Sequence, residues 1–256
     1  MGPILFASDL DNTLLFSYRH RQETDQCVEL LEGKEQSFCT VRSLELLAQV
    51  NRKTRFVPVT TRSVSQYRRI HWPPDCVPQY AVTTNGGILL DNGAEDPAWH
   101  SQTLELTAPW REELSNLARR LPEAPMLRRS RIVDGLYLFA ACDDGESAQA
   151  GGAFFAGQTS LEIAVSGRKV YFFPPPLNKG TAVRRLREKF RPDEVICAGD
   201  SVIDLPMFPM AGLGLLPDGA LLSAAAGILR VHRGAGRFPD FVLETVLDTA
   251  GEFERL

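Results

Sequence analysis

The sequence predicts an α/β fold in which a parallel-sheet core is interrupted by an inserted α+β segment. Two observations predict it. Short apolar runs alternate with helical patterns in the outer parts of the 256-residue chain, which is the βαβ order of a parallel sheet. The middle instead reads as strands and helices joined by tight turns, without crossovers. A third observation locates a site. Four polar clusters follow the strands or open the helices of the outer segments, and ligands of open α/β sheets bind beyond the carboxyl ends of the strands.

The first run, Pro3–Ser8, is apolar and ends in Asp9-Leu-Asp11, so it reads as a buried strand entering a polar loop. An extra segment lies between Phe16 and Thr40. There Cys27–Glu32 and Gln36–Thr40 flank Gly33-Lys34-Glu35, a hairpin pattern positioned to project over the strand ends. From Thr40, which reads as an N-cap, Val41, Leu44, Leu47 and Ala48 recur at helical spacing. Arg55–Val59 reads as a second strand ending in Thr60-Thr61-Arg62. Tyr80–Thr84 reads as a third, closed by Asn85-Gly86-Gly87.

Residues 88–176 read as the inserted unit. Ile88–Gly93 is a strand entering an Asn-Gly turn, and 109–121 is a helix with Trp110, Leu114 and Leu117 on one face. Gly135–Ala141 is a strand, and 146–156 is a helix weakened by Gly151 and Gly152. Leu161–Val165 and Lys169–Phe173 are strands joined by Ser166-Gly167. After Pro174–Pro176 the first pattern returns: helix Thr181–Phe190, strand Glu194–Ala198 leading to Gly199-Asp200, strand Gly212–Leu216 and helix Phe238–Leu247. The core is therefore expected to be split, at 1–87 and 177–256.

Composition narrows the function. A net charge of -4 without a long basic run argues against nucleic acid polymers and anionic membranes as partners. Arg128, Arg129 and Arg131 read as solvated surface. Five cysteines without a C-x-x-C pair suit free thiols in a reducing compartment, the cytoplasm. No apolar run is long enough to span a bilayer, and the start has neither a basic n-region nor a cleavage site. The four histidines lack ligand spacing. Trp99, Trp110, Tyr137, Phe154 and Phe155 read as core rather than as a sugar platform. Nothing in the sequence speaks to an oligomeric state.

The four clusters are Asp9-Leu-Asp11-Asn-Thr13, Thr60-Thr61-Arg62, Lys179, and Gly199-Asp200-Ser201-x-x-Asp204. Asp9, Asp11 and Asp200 brought together repel unless a hard divalent cation joins them, and oxygen-only ligands favour magnesium over zinc. Lys179 opens a helix, where the dipole disfavours a cation by about 0.3–1 kcal/mol. An anionic partner more than offsets that. With a hydroxyl from Thr60, these groups describe a phosphoryl-transfer site.

In these residues the chain resembles the haloacid dehalogenase (HAD) superfamily. Asp9-Leu-Asp11-Asn-Thr13-Leu14 matches its D-x-D-x-T-[LV] motif, and Thr60, Lys179 and Gly199-Asp200-Ser201-x-x-Asp204 match the second, third and fourth motifs. The resemblance implies a Rossmann-like HAD core with a C2B-type cap, similar to Cof-like and sucrose-phosphate-phosphatase-like hydrolases. It implies Asp9 as nucleophile and Asp11 as general acid and base. Magnesium is held by Asp9, Asp200 and the Asp11 backbone carbonyl; Thr60 and Lys179 bind phosphate, and Asp204 supports from behind. Arg62, Asn85 and Ser201 are candidate substrate contacts. The implied activity is magnesium-dependent hydrolysis of a small phosphorylated metabolite, a sugar phosphate first. Two alternatives stand beside it: a phosphomutase, which would release no free phosphate, and an idle regulatory or binding module. Loss of Asp9, Asp11, Lys179 or Asp200 would speak for the module, and all four are present. Thr61 departs from the family's usual glycine, Ile203 from the asparagine frequent in Cof-like proteins, and the segment 16–40 is longer than in those proteins.

Overall fold

Leu5–Ser8 (β1) is buried along its whole length, as a central parallel strand covered on both faces must be. The computed structural model describes residues 4–222, 225, 227–253 and 255, so Pro3 of the expected first strand lies outside the described residues. β1 pairs in parallel with Arg55–Pro58 (β5) on one side and Val195–Ala198 (β13) on the other. Leu213–Leu216 (β14) and Leu229–Val231 (β15) extend the sheet to the order β15-β14-β13-β1-β5. Alternation along β1 sorts the core into two layers. Phe6 packs with helices Val41–Lys53 (α1) and Phe238–Phe253 (α7), against Leu44, Leu47, Val242 and Val246. Leu5 and Ala7 pack on the other face, against Val183 and Leu186 of helix Lys179–Phe190 (α6). Thr40 caps α1 as expected, its side chain accepting from Ser43 N–H.

The segment after β1 forms the expected hairpin. Phe16–Ser17 (β2), Gln26–Leu31 (β3) and Lys34–Cys39 (β4) make a three-stranded sheet ordered β2-β4-β3. Its turn is Glu32-Gly33, both left-handed, so Lys34 and Glu35 belong to the strand rather than to the turn. A four-residue helix, Val64–Tyr67 (α2), follows β5. Tyr80–Thr83 (β6) then meets the parallel sheet through the isolated bridge Val59–Val82. Thr60 N–H bonds to Val82 on that edge, and Pro58, two residues earlier, has no N–H to offer there. β6 instead pairs antiparallel with Ile88–Asp91 (β7), which turns at Asn92-Gly93 into Ala94–Glu95 (β8).

The inserted segment carries a four-stranded antiparallel sheet ordered β11-β12-β10-β9: Arg129–Val133 (β9), Tyr137–Ala141 (β10), Glu162–Ser166 (β11) and Lys169–Phe173 (β12). Leu138, Ala140, Val170 and Phe172 on one face pack against Arg111–Arg120 (α4) and Gly145–Phe155 (α5). The packing does not change at residue 88, where the sequence put the division. Leu89 of β7 and Trp99 of helix Pro97–Thr107 (α3) join the core cluster of Leu5 and Val57. Arg185 of α6 stacks on the Trp99 ring at 3.7 Å and bonds to the Trp99 carbonyl, fastening α3 to the core.

Candidate active site

Asp9 is aimed by the backbone around it. Its N–H bonds to Ala198 at the end of β13, while the Leu10 carbonyl accepts from Thr13, Leu14 and Leu15 N–H and winds the loop into a tight turn through left-handed Asn12. The carboxylate sits nearly buried at the carboxyl end of β1, where it ion-pairs with Lys179. Lys179 is the first residue of α6, a helix capped by the Asn178 side chain on Thr181 N–H, and its side chain is 1% exposed. Nζ bridges two carboxylates, Asp9 Oδ1 and Asp204 Oδ1, the latter at 2.5 Å. Burial opposes that charge, but Asp204 and Asp9 outweigh it and hold the lysine protonated above its ordinary range. The anionic partner that Lys179 required thus includes the two carboxylates themselves.

Asp204 is used to its limit. Its Oδ2 accepts from Asp200 N–H (3.0 Å), Ser201 N–H (2.9 Å) and Ser201 Oγ (2.9 Å). This fold-back is why residue 199 is glycine: a Cβ there would sit 2.4 Å from the Asp204 Cβ. Carboxylate oxygens of Asp9, Asp200 and Asp204 lie within 4.8 Å of one another. Burial, then the charge of Asp204, pushes Asp200 up to about 7, while burial raises Asp9 as well.

Asp11 points elsewhere. Its carboxylate, 45% exposed, takes a two-pronged ion pair from Arg62, Nε to Oδ2 at 2.9 Å and Nη2 to Oδ1 at 2.7 Å. Burial pushes this carboxyl up, but the Arg62 charge and hydrogen bonds overcome it and leave the pKa lowered. The geometric acid cluster therefore contains Asp204 in place of the Asp11 side chain. Arg62 is itself held by the hairpin: Glu29 of β3 accepts from Nη1 at 2.9 Å, and Ser37 Oγ of β4 accepts from Nη2 at 3.1 Å. Buried Glu29 also binds Arg69 and accepts from Ser37 Oγ at 2.5 Å. Burial raises the Glu29 carboxyl, yet Arg62, Ser37 and Arg69 together leave it lowered.

Thr60 is fully buried at the end of β5, where its Oγ1 accepts from Arg62 N–H at 3.1 Å and keeps its own proton to donate. Of the three candidate substrate contacts, Arg62 lines a cavity of about 660 Å³ between the core and the antiparallel sheet. Asn85 and Ser201 do not line it. Asn85 donates to the Leu177 carbonyl from a left-handed residue at the start of the insertion, and the Ser201 hydroxyl is committed to Asp204. Tyr137 also lines the cavity, and its Oη donates to the Thr61 carbonyl at 2.6 Å. The Asp134 carboxylate, in the β9–β10 turn, accepts from Thr84 Oγ1 at 2.5 Å and Val64 N–H at 3.1 Å. Ile203 packs with Tyr137 and Phe173 in the apolar seam between the two sheets, so the departure from asparagine exchanges a polar group for packing.

No protein-family model matches the chain, and no curated protein matches it significantly. Solved structures do. A sucrose-phosphatase from Synechocystis sp. PCC6803, in complex with sucrose and phosphate, superposes with a TM-score of 0.66 at 16% identity, over 99% of both chains. The trehalose-6-phosphate phosphatase C-terminal domain of C. albicans gives 0.61 at 16% identity, over 98% of this chain and 92% of that one. A haloacid dehalogenase-like hydrolase from B. subtilis gives 0.58 at 15% identity, over 95% and 98%. The chain has the haloacid dehalogenase fold. Within that fold the parallel sheet is the Rossmann-like core, and the antiparallel sheet with its helices is the α+β insertion.

Sequence reasoning missed Glu29, Ser37 and Arg69, whose pairing with Arg62 spans distant segments and leaves no local spacing to read. Arg129 and Arg131 are exposed, as expected, but they also line the cavity from β9. Asp134-Gly135, both left-handed, is the turn signal that would have revealed that strand.

Proposed function

We propose that the protein is a magnesium-dependent phosphomonoester hydrolase that works through an aspartyl-phosphate on Asp9. Its substrate in this reading is a small phosphorylated metabolite, in the first instance a sugar phosphate. The observation that carries it is Lys179 bridging Asp9 and Asp204, with Asp200 beside them, at the carboxyl ends of β1 and β13. The likeness to a sucrose-phosphatase and a trehalose-6-phosphate phosphatase supports the substrate class.

The donor set fits magnesium. It consists of oxygen atoms alone, and one ammonium faces three carboxylates, two of them with raised pKa values. Asp204 has both oxygens engaged by Lys179, Asp200 and Ser201, which leaves Asp9 and Asp200 of the cluster to hold the ion, with the Asp11 backbone carbonyl as the third ligand that the family resemblance implies. A bound magnesium ion supplies charge stabilisation for the phosphoryl oxygens.

The residues divide the remaining work. An Asp9 oxygen attacks phosphorus, forming a P–O bond to the carboxylate as the ester P–O bond breaks. Asp11, held ionised by Arg62 in the free protein, takes a proton from solvent as Arg62 turns to the substrate, and passes that proton to the departing oxygen. It then takes one from the water that attacks phosphorus, releasing inorganic phosphate and the Asp9 carboxylate. Lys179 and the Thr60 hydroxyl donate to the phosphoryl oxygens throughout. Asp204 keeps Lys179 charged and aimed. Arg62 binds substrate at the cavity and fixes the Asp11 carboxylate. The insertion acts as a cap excluding bulk water. Because Leu89 and Trp99 pack on the core, this cap begins after α3 rather than at 88. Five free cysteines suit a reducing cytoplasm, and among the described residues no helix is long and apolar enough to cross a membrane.

The test is phosphate release from a panel of phosphorylated metabolites, with magnesium and with EDTA, for wild type and Asp9→Asn. Magnesium-dependent release that disappears in the variant is expected. Release by Asp9→Asn at the wild-type rate would remove Asp9 as nucleophile, and no release from any compound would favour the mutase or the idle module.

A further inference from the structure

The cavity above Asp11 has an uneven charge, and the register of the cap sheet explains it. Arg131 of β9 stands beside Phe139 of β10 and Tyr171 of β12 in one row, and Arg129, Ala141 and Lys169 form the next. Side chains alternate along each strand, so these rows share one face, while Leu138, Ala140, Val170 and Phe172 on the other face are buried under α4 and α5. The face with Arg129, Arg131 and Lys169 therefore has to look into the cavity, and all three line it.

The other cations there are partnered. Arg62 pairs with Asp11 and Glu29, Arg69 with Glu29, and Arg128 with Asp143 at 2.8 Å. Arg168 reaches the Asp143 carbonyl. Among the described residues no carboxylate ion-pairs with Arg129, Arg131 or Lys169. Arg131 rests over the Phe139 ring at 5.8 Å, which holds its guanidinium on the cavity side. Three cations of one sign on adjacent rows repel one another, and a chain with a net charge of -4 has acid to spare for pairing them. The charge of Lys169 acts on the Asp11 carboxyl, whereas the two arginines have no carboxylate partner among the described residues.

We propose that Arg129, Arg131 and Lys169 form a second anion subsite, and that the substrate is a phosphomonoester whose non-transferred part carries its own phosphate or carboxylate. This rests on the phosphatase reading of Asp9 and Lys179. Tyr137, bonded to the Thr61 carbonyl, marks the core end of the face. Counted along β10, the Arg131 row lies about 7 Å and the Arg129–Lys169 row about 13 Å beyond it. A sugar-sized body spans that interval, with Phe139 and Tyr171 beneath it. Arg62 and Thr61 meet the end that carries the transferred phosphoryl group, Arg129 and Arg131 meet the far end, and the Lys169 side chain, whose charge also reaches the Asp11 carboxyl, lies between.

The test compares kcat/KM of wild type, Arg129→Ala and Arg131→Ala on three kinds of probe with magnesium. These are p-nitrophenyl phosphate, hexose monophosphates with an uncharged body, and the doubly anionic fructose 1,6-bisphosphate and 6-phosphogluconate. The two arginines are exposed strand residues, so both variants fold. The wild type should prefer the doubly anionic group at least 10-fold over hexose monophosphates. Each variant should lose at least 10-fold more on that group than on p-nitrophenyl phosphate, mainly through KM. Arg131→Lys, which keeps the charge, should recover most of the loss. A wild-type preference for uncharged bodies, or equal losses on all probes, would overturn the subsite. If the wild type hydrolyses no probe, the phosphatase reading fails separately. Calorimetric binding of fructose 1,6-bisphosphate then decides: binding weakened 10-fold or more in Arg131→Ala supports the subsite, and binding that is absent or unchanged overturns it.

Discussion

Asp204→Asn replaces one oxygen of a carboxylate that has no spare acceptor, and its cost follows from the contacts. In one amide orientation the remaining oxygen keeps Asp200 N–H, Ser201 N–H and Ser201 Oγ, and the NH₂ group faces the Lys179 ammonium. That breaks a buried ion pair, worth about 3–5 kcal/mol when one partner is removed. In the other orientation the oxygen keeps Lys179, and three donors lose their acceptor, each at about 1 kcal/mol or more. Either way the loss is about 3 kcal/mol at least, and Asp9 still neutralising Lys179 argues for the lower end. At about 2–4 °C per kcal/mol for a domain of this size, the melting midpoint should fall by about 6–12 °C. Ser201→Ala removes a single bond and should cost about 2–4 °C. Thermal unfolding followed by circular dichroism in EDTA at pH 7.5 reads both. A midpoint for Asp204→Asn within about 2 °C of wild type would refute the reasoning, because no orientation of the amide satisfies these donors.

Two further substitutions carry opposite pH signatures. Glu29 has a lowered folded pKa, so its stabilisation is fully present above the unfolded value and is lost as pH falls through the folded one; Glu29→Gln should therefore be destabilised at pH 7, with the gap to wild type closing below about pH 4.5. Asp200 is raised to about 7, so the folded state holds its proton more tightly, and metal-free protein loses stability as pH rises from about 4 to 7. Asp200→Asn should gain on wild type across that window in EDTA, and melts at several pH values that show a constant gap would contradict the assignment. Magnesium at about 100 times its dissociation constant should stabilise wild type by about 2.7 kcal/mol at pH 7.5 and Asp200→Asn by far less, read as a shift in midpoint.

Much of this was legible beforehand, for identifiable reasons. Buried parallel strands must be apolar, so Leu5–Ser8, Arg55–Pro58 and Val195–Ala198 stood out, and each is followed by polar residues that local backbone geometry aims at one point. Thr40 and the Cys27–Cys39 hairpin carry their signals within a few residues. β9 did not stand out, because Arg129, Ser130, Arg131 and Ile132 are all exposed and show no apolar alternation. α3 was not expected; its local signal is Asp96-Pro97, an N-cap followed by a first-turn proline. Glu29 could not be read at all. Its role depends on Arg62 and Arg69, which the hairpin meets only after folding.

The most direct test of the central claim is to trap the covalent intermediate. Wild type would be mixed with magnesium and a hydrolysed substrate, quenched in acid, reduced with borohydride and mapped by peptide mass spectrometry. An aspartyl-phosphate is reduced to homoserine, so the account predicts homoserine at position 9 in wild type, at no other aspartate, and in none of the Asp9→Asn sample. Homoserine at another position, or phosphate release by wild type with residue 9 unmodified under the same quench, would contradict it.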